Sequence, residues 1–181
     1  MKILCFGDSN TYGYCAKGGR IEENYPRLRE SEYCTTINEG VCGRTTHCLQ
    51  SFIKAIQQPH DLTILMLGTN DLSAVGVYSL ERIIKQLEEL IIHEKKKILL
   101  LIPPYIHYER IFGWVYPVDV LEESKTLERA MIQLANKHHL DYISMRDDLD
   151  IDEDGLHLTP RGHQQLALKI QNYLKQVNHQ D

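Results

Sequence analysis

Ile3-Leu4-Cys5-Phe6-Gly7-Asp8-Ser9, residues 3–9, is a short apolar run that stops at a glycine and opens into a carboxylate and a hydroxyl. Apolar residues at consecutive rather than alternate positions are what a strand in a parallel sheet needs when helices cover both faces. Similar runs return at 62–67, 98–102 and, more briefly, 142–144, with a weaker candidate at 33–37 ahead of Asn38. Helical spacing fills the intervals: 46–57, then 79–94 with Leu80, Ile83, Leu87 and Ile91, then 121–138 with Leu127, Met131 and Leu134. A final helix is predicted from Thr159 as N-cap and Pro160 in the first turn, followed by Leu166, Ile170 and Leu174. Strand and helix alternating in this way predict an α/β fold, an open parallel sheet of roughly five strands with helices on both sides.

Ligands of such sheets bind at the carboxyl ends of the strands. Four segments should therefore share one rim: 7–9, 40–43, 68–71 and the pair Pro103-Pro104. Ser9 stands where a hydroxyl can be exposed, although Ser and Asp at such a place also serve simply as helix caps. A serine hydroxyl becomes a nucleophile only when an oriented base takes its proton. Asp154-Gly155-Leu156-His157, just ahead of the final helix, offers base and orienter together. The chain has nine histidines, so His157 by itself is weak; His138, His139 and His163 fall within predicted helices. Attack on an ester also calls for donors at the oxyanion. Asn70 can supply a side-chain amide, and Gly43 and Ser9 backbone N–H groups, while Asn and Gly are equally the residues of ordinary turns.

GDS at 7–9, NEGVCGRTT at 38–46, GTND at 68–71 and DGLHLTPRGH at 154–163 together resemble the four motif blocks of the GDSL/SGNH hydrolase superfamily. The blocks come in the family's order and span nearly the whole chain, although Asn10 stands where the GDSL name has leucine. The resemblance implies a flavodoxin-like three-layer α/β/α sandwich, a single hydrolase domain over 1–181, and carboxylic ester hydrolysis without metal or organic cofactor. It assigns the nucleophile to Ser9, the remaining triad to His157 and Asp154, and the oxyanion hole to Ser9, Gly43 and Asn70. ILCFGDSNTYGY at 3–14, MLGTND at 66–71 and Pro103-Pro104 look nearest to the arylesterase and acyltransferase branch. A carbohydrate O-acetylesterase and an acyl-CoA thioesterase share the same triad.

Aromatic residues crowd the segment after the fourth strand: Tyr105, Tyr108, Phe112, Trp114 and Tyr116. Together with Tyr12 and Tyr14 they are candidates to wall a pocket for small acyl or aryl esters, with Tyr12, Tyr105 and Trp114 foremost. The alternatives are packing of a loop against the sheet or a homo-oligomer interface.

Other functions find less support. A net charge of −5 gives nucleic acid and anionic membrane surfaces no attraction, and no apolar run is long enough to span a bilayer. Asp150, Asp152 and Asp154 match the opening of a calcium loop, but its twelfth position is Arg161 rather than a bidentate glutamate. A hydroxyl-rich turn at 7–11 also suits a flavin or phosphate cradle, a reading that leaves His157 and Asn70 without a role. No G-x-S-x-G elbow surrounds Ser9. Five cysteines without C-x-x-C spacing, and no room for a secretory apolar region before Gly7, point to thiols in a cytoplasmic protein.

Overall fold

The structure, a computed structural model, describes residues 1–29, 34–73, 79–107 and 116–178. Five parallel strands, β1 (Lys2–Gly7), β2 (Thr35–Gly40), β3 (Leu62–Met66), β4 (Lys97–Pro104) and β5 (Asp141–Arg146), pair in the order β2-β1-β3-β4-β5. Between them run α1 (Ser9–Tyr12, a single turn), α2 (Leu49–Ala55), α3 (Leu80–His93) and α4 (Val120–Lys137), and α5 (Pro160–Asn178) follows the last strand.

Alternation along the central strands sorts their side chains into two cores. Leu4, Phe6, Leu65 and Leu100 face one side and pack on Phe52 of α2, Ile83 of α3 and Met131 of α4. Ile3, Cys5, Ile64, Met66 and Leu99 face the other and meet Leu166, Ala167 and Ile170 of α5 together with Tyr25. The result is the three-layer α/β/α sandwich expected from the sequence, with the final helix closing one face. Burying each such Leu, Ile or Phe contributes about 1.5–3 kcal/mol, so the two-sided burial of β1, β3 and β4 dominates the stability of the sheet.

Several boundaries move for identifiable reasons. The strand expected at 33–37 is Thr35–Gly40; it lies at the sheet edge and is only partly buried, hence its weak apolar signal. The helix expected from residue 46 begins at Leu49, because the N–H and hydroxyl of Thr46 are taken by the Asp71 carboxylate at 3.0 and 2.6 Å. Pro103 and Pro104 are the last residues of β4 rather than a loop. His138 and His139 are not inside a helix. His138 is the C-cap of α4, and His139 takes a left-handed φ of 52° while the Leu140 N–H closes the turn on the Ala135 carbonyl at 2.9 Å. Thr159 caps α5 as expected, its hydroxyl accepting the Gly162 N–H at 3.0 Å. Among the described residues no helix is long and apolar enough to cross a membrane.

The order of the strands fixes where a ligand is expected. From β1 the chain moves outward to β2, then returns past β1 to β3, so a crevice opens between the carboxyl ends of β1 and β3. Ser9 follows β1, and Asn70 follows β3.

Candidate active site

β1 ends at Gly7, and Asp8 starts the next turn: its Oδ1 accepts the Asn10 N–H at 3.0 Å. The turn closes at Gly13, whose φ of 89° suits glycine and whose N–H donates to the Ser9 carbonyl. Ser9 is thereby held at the mouth of the crevice, almost buried at 6 % exposure. Its Oγ lies 2.9 Å from His157 Nε2.

His157 sits in the loop before α5. Asp154 Oδ2 meets His157 Nδ1 at 2.6 Å, while Asp154 Oδ1 accepts the backbone N–H groups of both Leu156 and His157 at 3.0 Å. The His157 carbonyl accepts the Asp152 N–H at 2.7 Å. A proton on Nδ1 is favoured by the carboxylate facing it, which leaves the Nε2 lone pair toward the serine hydroxyl. Burial pushes the Asp154 carboxyl upward, but the His157 ring, its backbone N–H and that of Leu156 outweigh it, and the group stays below the usual carboxylate range. The Tyr14 ring lies against the imidazole, 4.6 Å between centroids.

The second and third loops are tied to each other and to β1. Arg44 donates to the carbonyls of Gly7, at 3.0 Å, and Glu39, and its guanidinium covers the Phe6 ring at 4.0 Å. Asn70 Nδ2 donates to the Arg44 carbonyl at 3.0 Å, which uses one of its two amide hydrogens. Asp71, the next residue, is buried and grips Thr46. Gly43 has a φ of 75°, and a Cβ there would meet nothing within 4 Å, so glycine is required by backbone conformation and not by space.

The aromatic candidates fall in different places. The Tyr12 ring lies under the Arg20 guanidinium at 4.6 Å. The Tyr105 hydroxyl donates to Glu128 of α4, a buried carboxylate that also accepts from Ser144 at 2.6 Å and Arg146 at 2.7 Å. Tyr116 packs with Ile106, Val120 and Leu156 under the histidine loop. Tyr108, Phe112 and Trp114 lie outside the described residues.

Two alternatives raised by the sequence meet side chains already engaged. In the turn at 7–11, the Ser9 hydroxyl faces His157 and the buried Thr11 hydroxyl pairs with Tyr25 OH at 3.0 Å. In the acidic loop, Asp150 accepts from the Thr159 hydroxyl at 2.5 Å and Asp154 is committed to His157.

Sequence reasoning overlooked Asn10. Its side chain is 2 % exposed and bonds the backbone on either side of His157, to the Leu156 carbonyl at 3.2 Å and the Leu158 N–H at 2.9 Å. Nothing local marks it, since a polar residue beside a serine at a strand end has many uses.

A serine hydroxyl against an imidazole, with a carboxylate behind the imidazole, at the switch point of a doubly wound sheet, is the arrangement of a serine hydrolase. The chain belongs to the GDSL-like lipase/acylhydrolase family, whose profile matches residues 5–165, and it is accordingly an ester hydrolase. Solved structures show the same fold across the whole chain. The carbohydrate acetylesterase Est24 from Sinorhizobium meliloti is 23 % identical, with 97 % of this chain and 99 % of that one covered and a TM-score of 0.82. The M. smegmatis aryl esterase is 21 % identical, with 97 % and 98 % covered and a TM-score of 0.84. A lipase/acylhydrolase from Enterococcus faecalis is 26 % identical, with 96 % and 95 % covered and a TM-score of 0.79. No curated protein matches the sequence.

Proposed function

We propose that this chain hydrolyses short-acyl or aryl carboxylic esters by two-step acyl transfer. The observation that carries the reading is the unbroken line from Asp154 Oδ2 through the His157 ring to Ser9 Oγ, with separations of 2.6 and 2.9 Å. Ser9 attacks the ester carbonyl as its proton passes to His157 Nε2. Asp154 stabilises the imidazolium so formed. The alkoxide leaving group then takes that proton, an acyl ester remains on Ser9, and water activated by the same imidazole releases the acid. Negative charge on the carbonyl oxygen is met by the N–H groups of Ser9 and Gly43 and by the second amide hydrogen of Asn70. Each such donor is worth roughly 3 kcal/mol to the transition state.

Hydrolysis of p-nitrophenyl acetate and butyrate by the parent and by Ser9→Ala tests the reading, together with mass-spectrometric localisation of a fluorophosphonate label. Turnover and labelling are both expected to vanish in a folded Ser9→Ala variant. Turnover kept by that variant would remove Ser9 as nucleophile. Acetylated sugars and acyl-CoA, assayed beside the aryl esters, separate the carbohydrate acetylesterase and thioesterase readings that share this chemistry.

A further inference from the structure

The mechanism above leaves Asn10 idle, yet it is one of the most constrained polar residues in the molecule. Its side chain is 2 % exposed, and both of its bonds span the chain: Nδ2 donates to the Leu156 carbonyl at 3.2 Å and Oδ1 accepts the Leu158 N–H at 2.9 Å. Those two groups belong to the peptide units immediately before and after His157. The side-chain amide thus pairs with the histidine backbone as a neighbouring strand would. Its orientation is fixed by chemistry, because the reversed amide would set oxygen against oxygen and N–H against N–H.

The clamp is anchored at its own end. The Asn10 N–H is held by Asp8 Oδ1 at 3.0 Å, and Ser9 is its covalent neighbour. The remaining backbone groups of His157 are held by Asp154 and Asp152. Every polar backbone group at His157 therefore has a partner, and two of those partnerships originate one residue from the nucleophile. An apolar side chain at position 10 would leave the Leu156 carbonyl and the Leu158 N–H without them, in a place where both leucines are buried.

We propose that Asn10 is a positioning residue that sets the distance between Ser9 and His157, acting as a gauge between the nucleophile turn and the histidine loop. The proposal rests on the reading of Ser9 and His157 given above. A displacement of about 1 Å in a catalytic pair is enough for a loss of roughly 100-fold, so the effect belongs on kcat rather than on substrate affinity.

The test uses Asn10→Ala, which removes both bonds, and Asn10→Asp, which keeps an acceptor for the Leu158 N–H but loses the donor to the Leu156 carbonyl. Each is assayed in the full chain on p-nitrophenyl acetate, with fluorophosphonate titration of competent sites. In parallel the His157 Nδ1–H signal is followed by NMR of histidine-labelled protein. Asn10→Ala is expected to lower kcat per competent site by roughly 10- to 100-fold with KM within about threefold. The His157 Nδ1–H signal should broaden in Asn10→Ala as the pairing with Asp154 loosens. Asn10→Asp, which keeps only the bond to the Leu158 N–H, should lose kcat per competent site as well, again with KM within about threefold. The proposal is overturned if Asn10→Ala keeps kcat per competent site within about twofold of the parent, or if it leaves the His157 Nδ1–H signal unchanged. Ser9→Ala, run alongside, separates the two claims: turnover surviving in it removes Ser9 as nucleophile, while the NMR measurement still decides the clamp.

Discussion

The carboxylate of Asp154 holds His157 at two points, the backbone N–H through Oδ1 at 3.0 Å and ring Nδ1 through Oδ2 at 2.6 Å. One side chain thus fixes where the residue sits and which way its ring faces. Asp154→Asn keeps the shape but turns an amide toward Nδ1, which favours the wrong tautomer. A loss in kcat of about 10⁴ is expected with little change in melting temperature. Steady-state kinetics beside a thermal melt check this, and a loss under about tenfold would remove Asp154 from the triad.

Asn70→Ala removes the proposed oxyanion donor. It should lower kcat by roughly 10²–10³ with a smaller effect on KM. The same substitution also frees the Arg44 carbonyl, so a modest fall in melting temperature is expected as well. Unchanged kcat would show that the oxyanion is met elsewhere.

Two buried titrations oppose each other. Burial raises the Asp8 carboxyl from 3.8 to about 6, and burial lowers the His163 imidazole from 6.5 to about 4. For Asp8 the folded state binds the proton more tightly. Its contribution to stability is therefore full below about pH 4 and lost as pH rises through 6. For His163 the unfolded state binds the proton more tightly, so its contribution is full above about 6.5 and lost as pH falls to 4. Each is worth on the order of 3 kcal/mol, and between pH 4 and 6 they nearly cancel. Asp8→Asn should therefore lose stability on acidification more steeply than the parent, and His163→Gln should gain relative to it. Chemical denaturation at pH 4, 5, 6 and 7 measures both; parallel curves for all three proteins would refute the pairing.

At the end of β2, a Cβ on Gly40 would lie 2.1 Å from the Tyr12 backbone nitrogen and 2.6 Å from the Thr11 carbonyl carbon. Because these are backbone atoms, Gly40→Ala must displace the turn that carries Ser9. A destabilisation of about 1–3 kcal/mol is expected, together with reduced turnover. A melt and an esterase assay on the same sample suffice, and a variant that matches the parent in both would mean the turn can shift freely.

How far the sequence could be read depended on how local each signal was. β1, β3 and β4 announce themselves because burial on both faces demands consecutive apolar residues. β2, at the edge and only partly buried, carries Thr35-Thr36 and Asn38-Glu39 and reads faintly. Ser9, Asp154 and His157 stood out as candidates because the chemistry restricts their residue types and because the motif blocks around them come in the order of the family they resemble. Asn10 and the Asp71–Thr46 tie were not visible, since a polar side chain does not name a partner that only folding brings near. The start of α2 was misplaced for that reason.

The separation of 148 positions between Ser9 and His157 has a consequence for how the protein is made. On the ribosome the proposed nucleophile emerges well before its proposed base, which arrives with the loop that precedes α5. Until α5 has docked on β1, β3 and β4 and drawn that loop to the sheet, a growing chain carries a serine without a base to activate it. On the proposed mechanism, ester cleavage appears only once residue 157 has left the ribosome and its loop has folded against the sheet, and a chain stalled before that point would be inert.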